Sequence, residues 1–193
     1  MDNKDKEFVA RKFLDSLIYP KEKPSKQIFF CPVGLVGAGK TTFTKPISEK
    51  LNLVRVSSDE MRKILKESGF GYSNLKEIIL PIATDLINSG WSIAFDMDCG
   101  NIETKAFIDK ISLEKNIRVI WVHVKSPEEY IFDKFKKHPP TWLSDNPQKM
   151  IDNYFAQKEK REKEGTKFNF DFTFDASQNV TEQVNLFFKS NTF

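Results

Sequence analysis

Gln27-Ile28-Phe29-Phe30-Cys31-Pro32-Val33 runs straight into Gly34-Leu35-Val36-Gly37-Ala38-Gly39-Lys40-Thr41-Thr42. The first seven residues form a short, nearly continuous apolar run, apolar on both faces, which suits a central strand of a parallel sheet. Pro32 is tolerable because it falls at the strand's end. The next stretch carries the Gly-x4-Gly-Lys-Thr pattern in its required context, a strand before it and a helix, to about Leu51, after it. Glycines there permit backbone angles and a close approach that side chains would block. Successive N–H groups then point at phosphate oxygens, at the positive end of a helix. Lys40 supplies a point charge for the β- and γ-phosphates, and the Thr41 hydroxyl is placed to ligate Mg²⁺. Gly34 to Thr42 therefore reads as a phosphate cradle.

Outward from this loop, strands and helices alternate. Further strands are expected at Leu53–Val56, at Ser92–Phe95 ending on Asp96, at Ile117–Val124 and at Phe170–Phe174. Helices are expected over 5–19, 60–66, 74–89, 102–115, from Ser126 onward, and over 180–189. In the first of them, Phe8, Val9, Phe13, Leu14, Leu17 and Ile18 lie at helical spacing. Pro46 and Pro81 fall inside expected helices, where proline removes a hydrogen bond. This alternation predicts an α/β fold, a parallel sandwich forming one domain over residues 1–193. The polar, proline-containing stretch from His138 to Gly165 reads as lid, with Lys158 to Glu164 a solvated charged helix; the lid as a whole spans about 134–165.

Composition narrows the function classes. The 193 residues carry 30 Lys plus Arg against 27 Asp plus Glu, a net charge of +3, which gives no dominant electrostatic footprint for nucleic acid or membrane. No apolar run reaches the roughly 20 residues of a membrane span. The charged Met1 to Asp5 lacks a signal core, so a cytoplasmic protein is expected. Cys31 and Cys99 form no Cys-x-x-Cys pair, against both a zinc site and a disulfide framework. His123 and His138 are the only histidines, which excludes a His-rich metal site by count. The 18 Phe imply an aromatic-rich core.

A GTPase would need an Asn-Lys-x-Asp base reader, which is missing. A motor ATPase would usually close its third strand with an acidic pair, whereas Asp96 is followed by Met97 and only then by Asp98. These absences favour a small kinase, which passes phosphate to an acceptor hydroxyl and excludes water. After the second strand stands Ser57-Ser58-Asp59-Glu60-Met61-Arg62. An acid at the carboxyl end of a parallel strand faces the ligand crevice. Asp59 there is a candidate to take or orient the acceptor's proton, or else an N-cap. Arg62, three residues on, shares its helix face and suits an acidic group on the acceptor.

With these pieces the chain resembles the P-loop kinase family that includes phage polynucleotide 5′-hydroxyl kinase and the zeta-toxin-like kinases. The matching segments are Gly34–Thr42, Ser57–Arg62 and Gly90-Trp91-Ser92-Ile93-Ala94-Phe95-Asp96, within about residues 27–135. The resemblance implies a P-loop NTPase three-layer sandwich with a five-stranded parallel sheet of order 2-3-1-4-5. It also implies Lys40 and Thr41 on ATP–Mg²⁺, Asp59 as base, Arg62 on the acceptor, and Asp96 near metal or acceptor.

The chain departs from that family after its third strand, with Asp96-Met97-Asp98-Cys99-Gly100-Asn101 and with Lys105 where arginine is expected. Asp98 is a candidate for metal-bound water or substrate, or for a helix cap; Asn101 is a candidate for substrate. The family uses lid arginines, yet only Arg161 of the five arginines lies near the lid, while the helix after the fourth strand offers Lys134, Lys136 and Lys137. The expected acceptor is a nucleic-acid 5′-end, a nucleotide or another small metabolite. The rival readings are a nucleotide-sugar kinase of the zeta-toxin type and a nucleotide-binding regulatory module that transfers nothing. Nothing in the sequence points to a protein partner.

Overall fold

The computed structural model describes residues 1–138 and 146–191. Five strands, β1 (Ile28–Val33), β2 (Val54–Ser57), β3 (Ile93–Asp96), β4 (Arg118–Lys125) and β5 (Phe172–Asp175), form one parallel sheet of order β2-β3-β1-β4-β5. Eight helices surround it among the described residues: α1 (Asn3–Ser16), α2 (Lys40–Lys50), α3 (Ser58–Glu67), α4 (Leu75–Asn88), α5 (Ile102–Lys115), α6 (Glu128–Lys137), α7 (Pro147–Glu164) and α8 (Val180–Ser190). The expected sheet order and helices on both faces are therefore present.

Strand β1 is the central strand because its residues are apolar on both sides; five of its six positions are buried. Two aromatic-rich cores follow. Phe29, Cys31 and Phe95 point into one, beneath α1, α3, α4 and α5. Phe30, Ala94, Ile120 and Phe174 point into the other, beneath α2, α6, α7 and α8. Each fully buried aliphatic or Phe side chain is worth about 1.5–3 kcal/mol relative to exposure. Phe43 of α2 stacks on Phe174 of β5 at 4.3 Å, so the helix behind the Gly34–Thr42 loop is fixed against the far edge of the sheet.

Two details differ from the expected helices. The first helix stops at Ser16, with Leu17 extended at its C-cap, so Leu17 turns into the core while Ile18 is left exposed. Phe8 also lies outside the core, under the Lys12 ammonium at 4.5 Å. Pro81 is accommodated because it sits on the outer, exposed side of α4. The charged run ends one continuous helix, α7, where Glu159 pairs with Lys163 and Lys160 with Glu164. No helix among the described residues is long and apolar enough to cross a membrane.

Candidate active site

All five strands end toward one rim, and the site is built there from four segments. The first is the loop between β1 and α2. Gly37 and Gly39 adopt φ of +81° and +96°, angles that favour glycine. Gly34 lies so close to β4 that a Cβ would stand 2.4 Å from the Val124 carbonyl oxygen. Among the described residues, no acceptor meets the main-chain amides of Gly37, Gly39, Lys40 and Thr41. Four converging N–H donors at a helix start, with an ammonium beside them, fit a chain of phosphates. The Lys40 Nζ donates to the carbonyls of Gly34 and Leu35 at 2.9 and 3.0 Å. Burial pushes its pKa down, against the pull of Asp98, Asp59 and Asp96.

The second segment is the start of α3. Ser57 is the N-cap, its hydroxyl accepting from the Glu60 amide at 3.4 Å. Capping is thus done by Ser57, and Asp59 in the first turn is released from it. Arg62 donates to Asp59 Oδ1 at 2.7 Å and to the Ser58 hydroxyl at 3.0 Å. Burial raises the Asp59 pKa above the ordinary carboxylate value; Arg62 and Lys40 oppose the rise and Asp96 adds to it. A half-buried acid in the same cleft as an ammonium has the environment of a proton acceptor.

The third segment is the end of β3. Asp96 is 4% exposed. Its Oδ1 accepts from the Thr41 hydroxyl at 2.8 Å and its Oδ2 from Arg55 at 2.6 Å. Asp98 is no helix cap. Its Oδ1 accepts from the Gly100 amide at 3.0 Å and from Arg161, and its Oδ2 accepts from Gln157 Nε2 at 2.7 Å. The fourth segment is α6 with α7: Gln157 Oε1 accepts from the Val36 amide at 2.7 Å, and Arg161 donates to the Gly34 carbonyl at 3.2 Å. Lys134, Lys40, Thr41, Asp59, Arg62, Asp96, Asp98 and Gln157 line one cleft of about 290 Å³.

The structure moves three sequence candidates away from this cleft. Asn101 is the N-cap of α5, its Oδ1 accepting from the amides of Glu103 and Thr104 and from Lys76 Nζ at 2.7 Å, outside the residues that line the cleft. Lys137 faces solvent and pairs with Asp133 at 3.7 Å, outside the residues that line the cleft. Arg161 reaches beneath the loop to Asp98 and Gly34 instead of standing over the cleft. Lys134 remains as a half-buried cation at the cleft, its pKa lowered by burial. Lys105, too, is elsewhere, paired with Asp109 at 2.6 Å and lying over the Trp121 and Phe168 rings. The middle of the expected lid, residues 139–145, lies outside the described residues.

Two residues at the site had escaped the sequence reading. Arg55 was signalled only by a charge inside a short apolar strand. Gln157 had no signal beyond lying one helical turn before Arg161.

A phosphate-cradling loop behind the central strand of a 2-3-1-4-5 parallel sheet, with acids closing strands β2 and β3, defines a P-loop NTPase fold. A family profile described as an AAA domain matches residues 30–141, more than half the sequence, and the chain belongs to that family. No curated protein sequence matches it. Among solved structures, the APS kinase of Mycobacterium tuberculosis, in complex with AMPPNP and APS, superposes with a TM-score of 0.60 at 16% identity, over 86% of this chain and 98% of that one. A structure of the PezAT chromosomal toxin-antitoxin system of Streptococcus pneumoniae gives 0.61 at 16% identity, over 98% and 95%. Shikimate kinase from Bacteroides thetaiotaomicron gives 0.56 at 16% identity, over 84% and 97%.

Proposed function

We propose that the chain, as a single domain, is an ATP-dependent phosphotransferase that passes the γ-phosphoryl group to a hydroxyl of a small acceptor. One observation carries this reading: Lys40 of the phosphate loop and the Arg62-held carboxylate of Asp59 line the same narrow cleft. A loop that only bound nucleotide would need no acid opposite it.

The roles follow from the contacts. The amides of Gly37, Gly39, Lys40 and Thr41 hold the phosphate chain, and Lys40 exchanges its loop carbonyls for β- and γ-oxygens. Thr41 would hold Mg²⁺, with Asp96 behind it. Bound there, Mg²⁺ would offset the charge of the phosphates. Asp59 takes or orients the proton of the acceptor hydroxyl, and Arg62 fixes that carboxylate. Asp98 also lines this cleft and is the candidate to meet the acceptor, held in place by Arg161, Gly100 and Gln157. Lys134 supplies the lid charge that Arg161 and Lys137 do not. A lysine neutralises charge as a point and lacks the guanidinium's planar two-point contact.

The likeness to structures described as APS kinase and shikimate kinase supports a small acceptor. The second reading is a kinase of the zeta-toxin type acting on a nucleotide sugar, and the same panel tests it. The test is transfer of labelled γ-phosphate from ATP to a panel of nucleotides, nucleotide sugars, hydroxy acids and oligonucleotide 5′-ends. Transfer to one small-molecule class supports the proposal; nucleotide binding with no transfer to any acceptor supports a regulatory module instead.

A further inference from the structure

A guanidinium in a four-residue strand needs partners, and Arg55 has two. Strand β2 reads Val54-Arg55-Val56-Ser57, with every residue buried except Arg55, which is half-buried. The register pairs Arg55 with Ala94 and Ser57 with Asp96. Side chains two residues apart on a strand share a face, so Arg55 and Asp96 lie on one face of the sheet. Ala94, between them, belongs to the core beneath α2, the helix that carries Thr41.

From there Arg55 spans two acids. Its Nη1 donates to Asp96 Oδ2 at 2.6 Å, and its Nη2 donates to Glu60. The other oxygen of Asp96 accepts from the Thr41 hydroxyl at 2.8 Å. The chain of contacts is thus Glu60, Arg55, Asp96, Thr41. Beyond Arg55 and Glu60 opens a separate cavity of about 710 Å³, lined also by Tyr19, Lys45 and Ile64 and sharing no lining residue with the cleft at the phosphate loop. Arg55 stands as the wall between that cavity and the site.

We infer that Arg55 is a positioning residue for the metal end of the site, acting through Asp96 on the Thr41 hydroxyl. This rests on the phosphotransfer reading above. An ionised carboxylate only accepts hydrogen bonds. With Oδ2 held by Arg55, Asp96 presents Oδ1 to Thr41, and the Thr41 proton is committed to it. The Thr41 lone pairs then face away from Asp96, which is the state a metal ligand requires. Outer groups that orient a ligand in this way govern metal affinity. Glu60 holds the far end of the guanidinium and so fixes the angle of the near end.

The test is nucleotide affinity with and without Mg²⁺, measured by calorimetry on proteins shown to be folded by thermal melting. Arg55→Lys keeps the charge but cannot fork to both acids. Its Mg²⁺ enhancement of ATP binding is expected to fall about ten-fold, while the affinity in excess EDTA stays within about two-fold of wild type. Glu60→Gln frees the outer end only and is expected to move the same ratio in the same direction by about three-fold. Equal enhancement in wild type and Arg55→Lys, or an equal loss with and without Mg²⁺, overturns the role of Arg55. Where Arg55→Lys does not fold, Glu60→Gln decides by the same criterion. A wild-type protein whose ATP affinity ignores Mg²⁺ contradicts the phosphotransfer reading itself, and the role of Arg55 with it.

Discussion

Arg62 donates to Asp59 from one turn further along α3, at 2.7 Å, and with Lys40 it opposes the rise in carboxyl pKa that burial imposes on Asp59. A base must be deprotonated to act, so activity is lost as pH falls through its pKa. The acid limb of kcat/KM is expected above the ordinary carboxylate value. Arg62→Met removes one opposing cation and moves the limb to higher pH, lowering the rate most in mild acid. A pH–rate profile checks this; a limb that stays in place after Arg62→Met assigns it to another group.

Lys40 bonds its own loop at Gly34 and Leu35, so its removal affects both the loop and the nucleotide. Lys40→Ala is expected to lower kcat/KM by on the order of 10²–10³, the loss typical of one preorganised donor to a developing charge. Circular dichroism should show the fold retained, since no core contact is deleted.

Gly37 is required twice, by a φ of +81° and by its neighbours. A Cβ there would stand 2.5 Å from the Phe135 ring and 2.7 Å from Ile131. Gly37→Ala is expected to cost about 1–3 kcal/mol in chemical denaturation. Adding Phe135→Leu should recover part of the loss, because it removes the ring and leaves the strained angle.

Asp98 and Arg161 join the β3–α5 turn to α7, with about a fifth of each side chain exposed. Removing one partner strands a largely buried charge. Either Asp98→Asn or Arg161→Met is expected to cost about 2–4 kcal/mol, and the double variant less than the sum. A double-mutant cycle by urea denaturation measures that coupling; strict additivity contradicts the link.

The parallel sheet and its loop were legible because their signals are local and mutually consistent, whereas the strand order came only with the family resemblance. A run apolar on both faces marked β1, and the glycines marked the loop that follows it. Asp59 was legible by position, at a strand end one helical turn before an arginine. Asn101, Lys137 and Arg161 lie outside the lining of the cleft, which the sequence did not show because a residue type does not report its direction. Asn101 is spent on the amides that open α5, Lys137 lies on the solvent side of α6, and Arg161 folds beneath the loop. Gln157 and Arg55 escaped because their partners lie 121 and 41 residues away in the sequence, at Val36 and Asp96.

The pairing of the phosphate loop with Asp59 in one transfer site is tested most directly by Asp59→Asn, measured two ways on the same protein. Affinity for Mg–ATP should stay within about three-fold of wild type, while single-turnover phosphate transfer to the acceptor found in the panel should fall by about 10²–10⁴. Transfer that proceeds at the wild-type rate without this carboxylate would contradict the account.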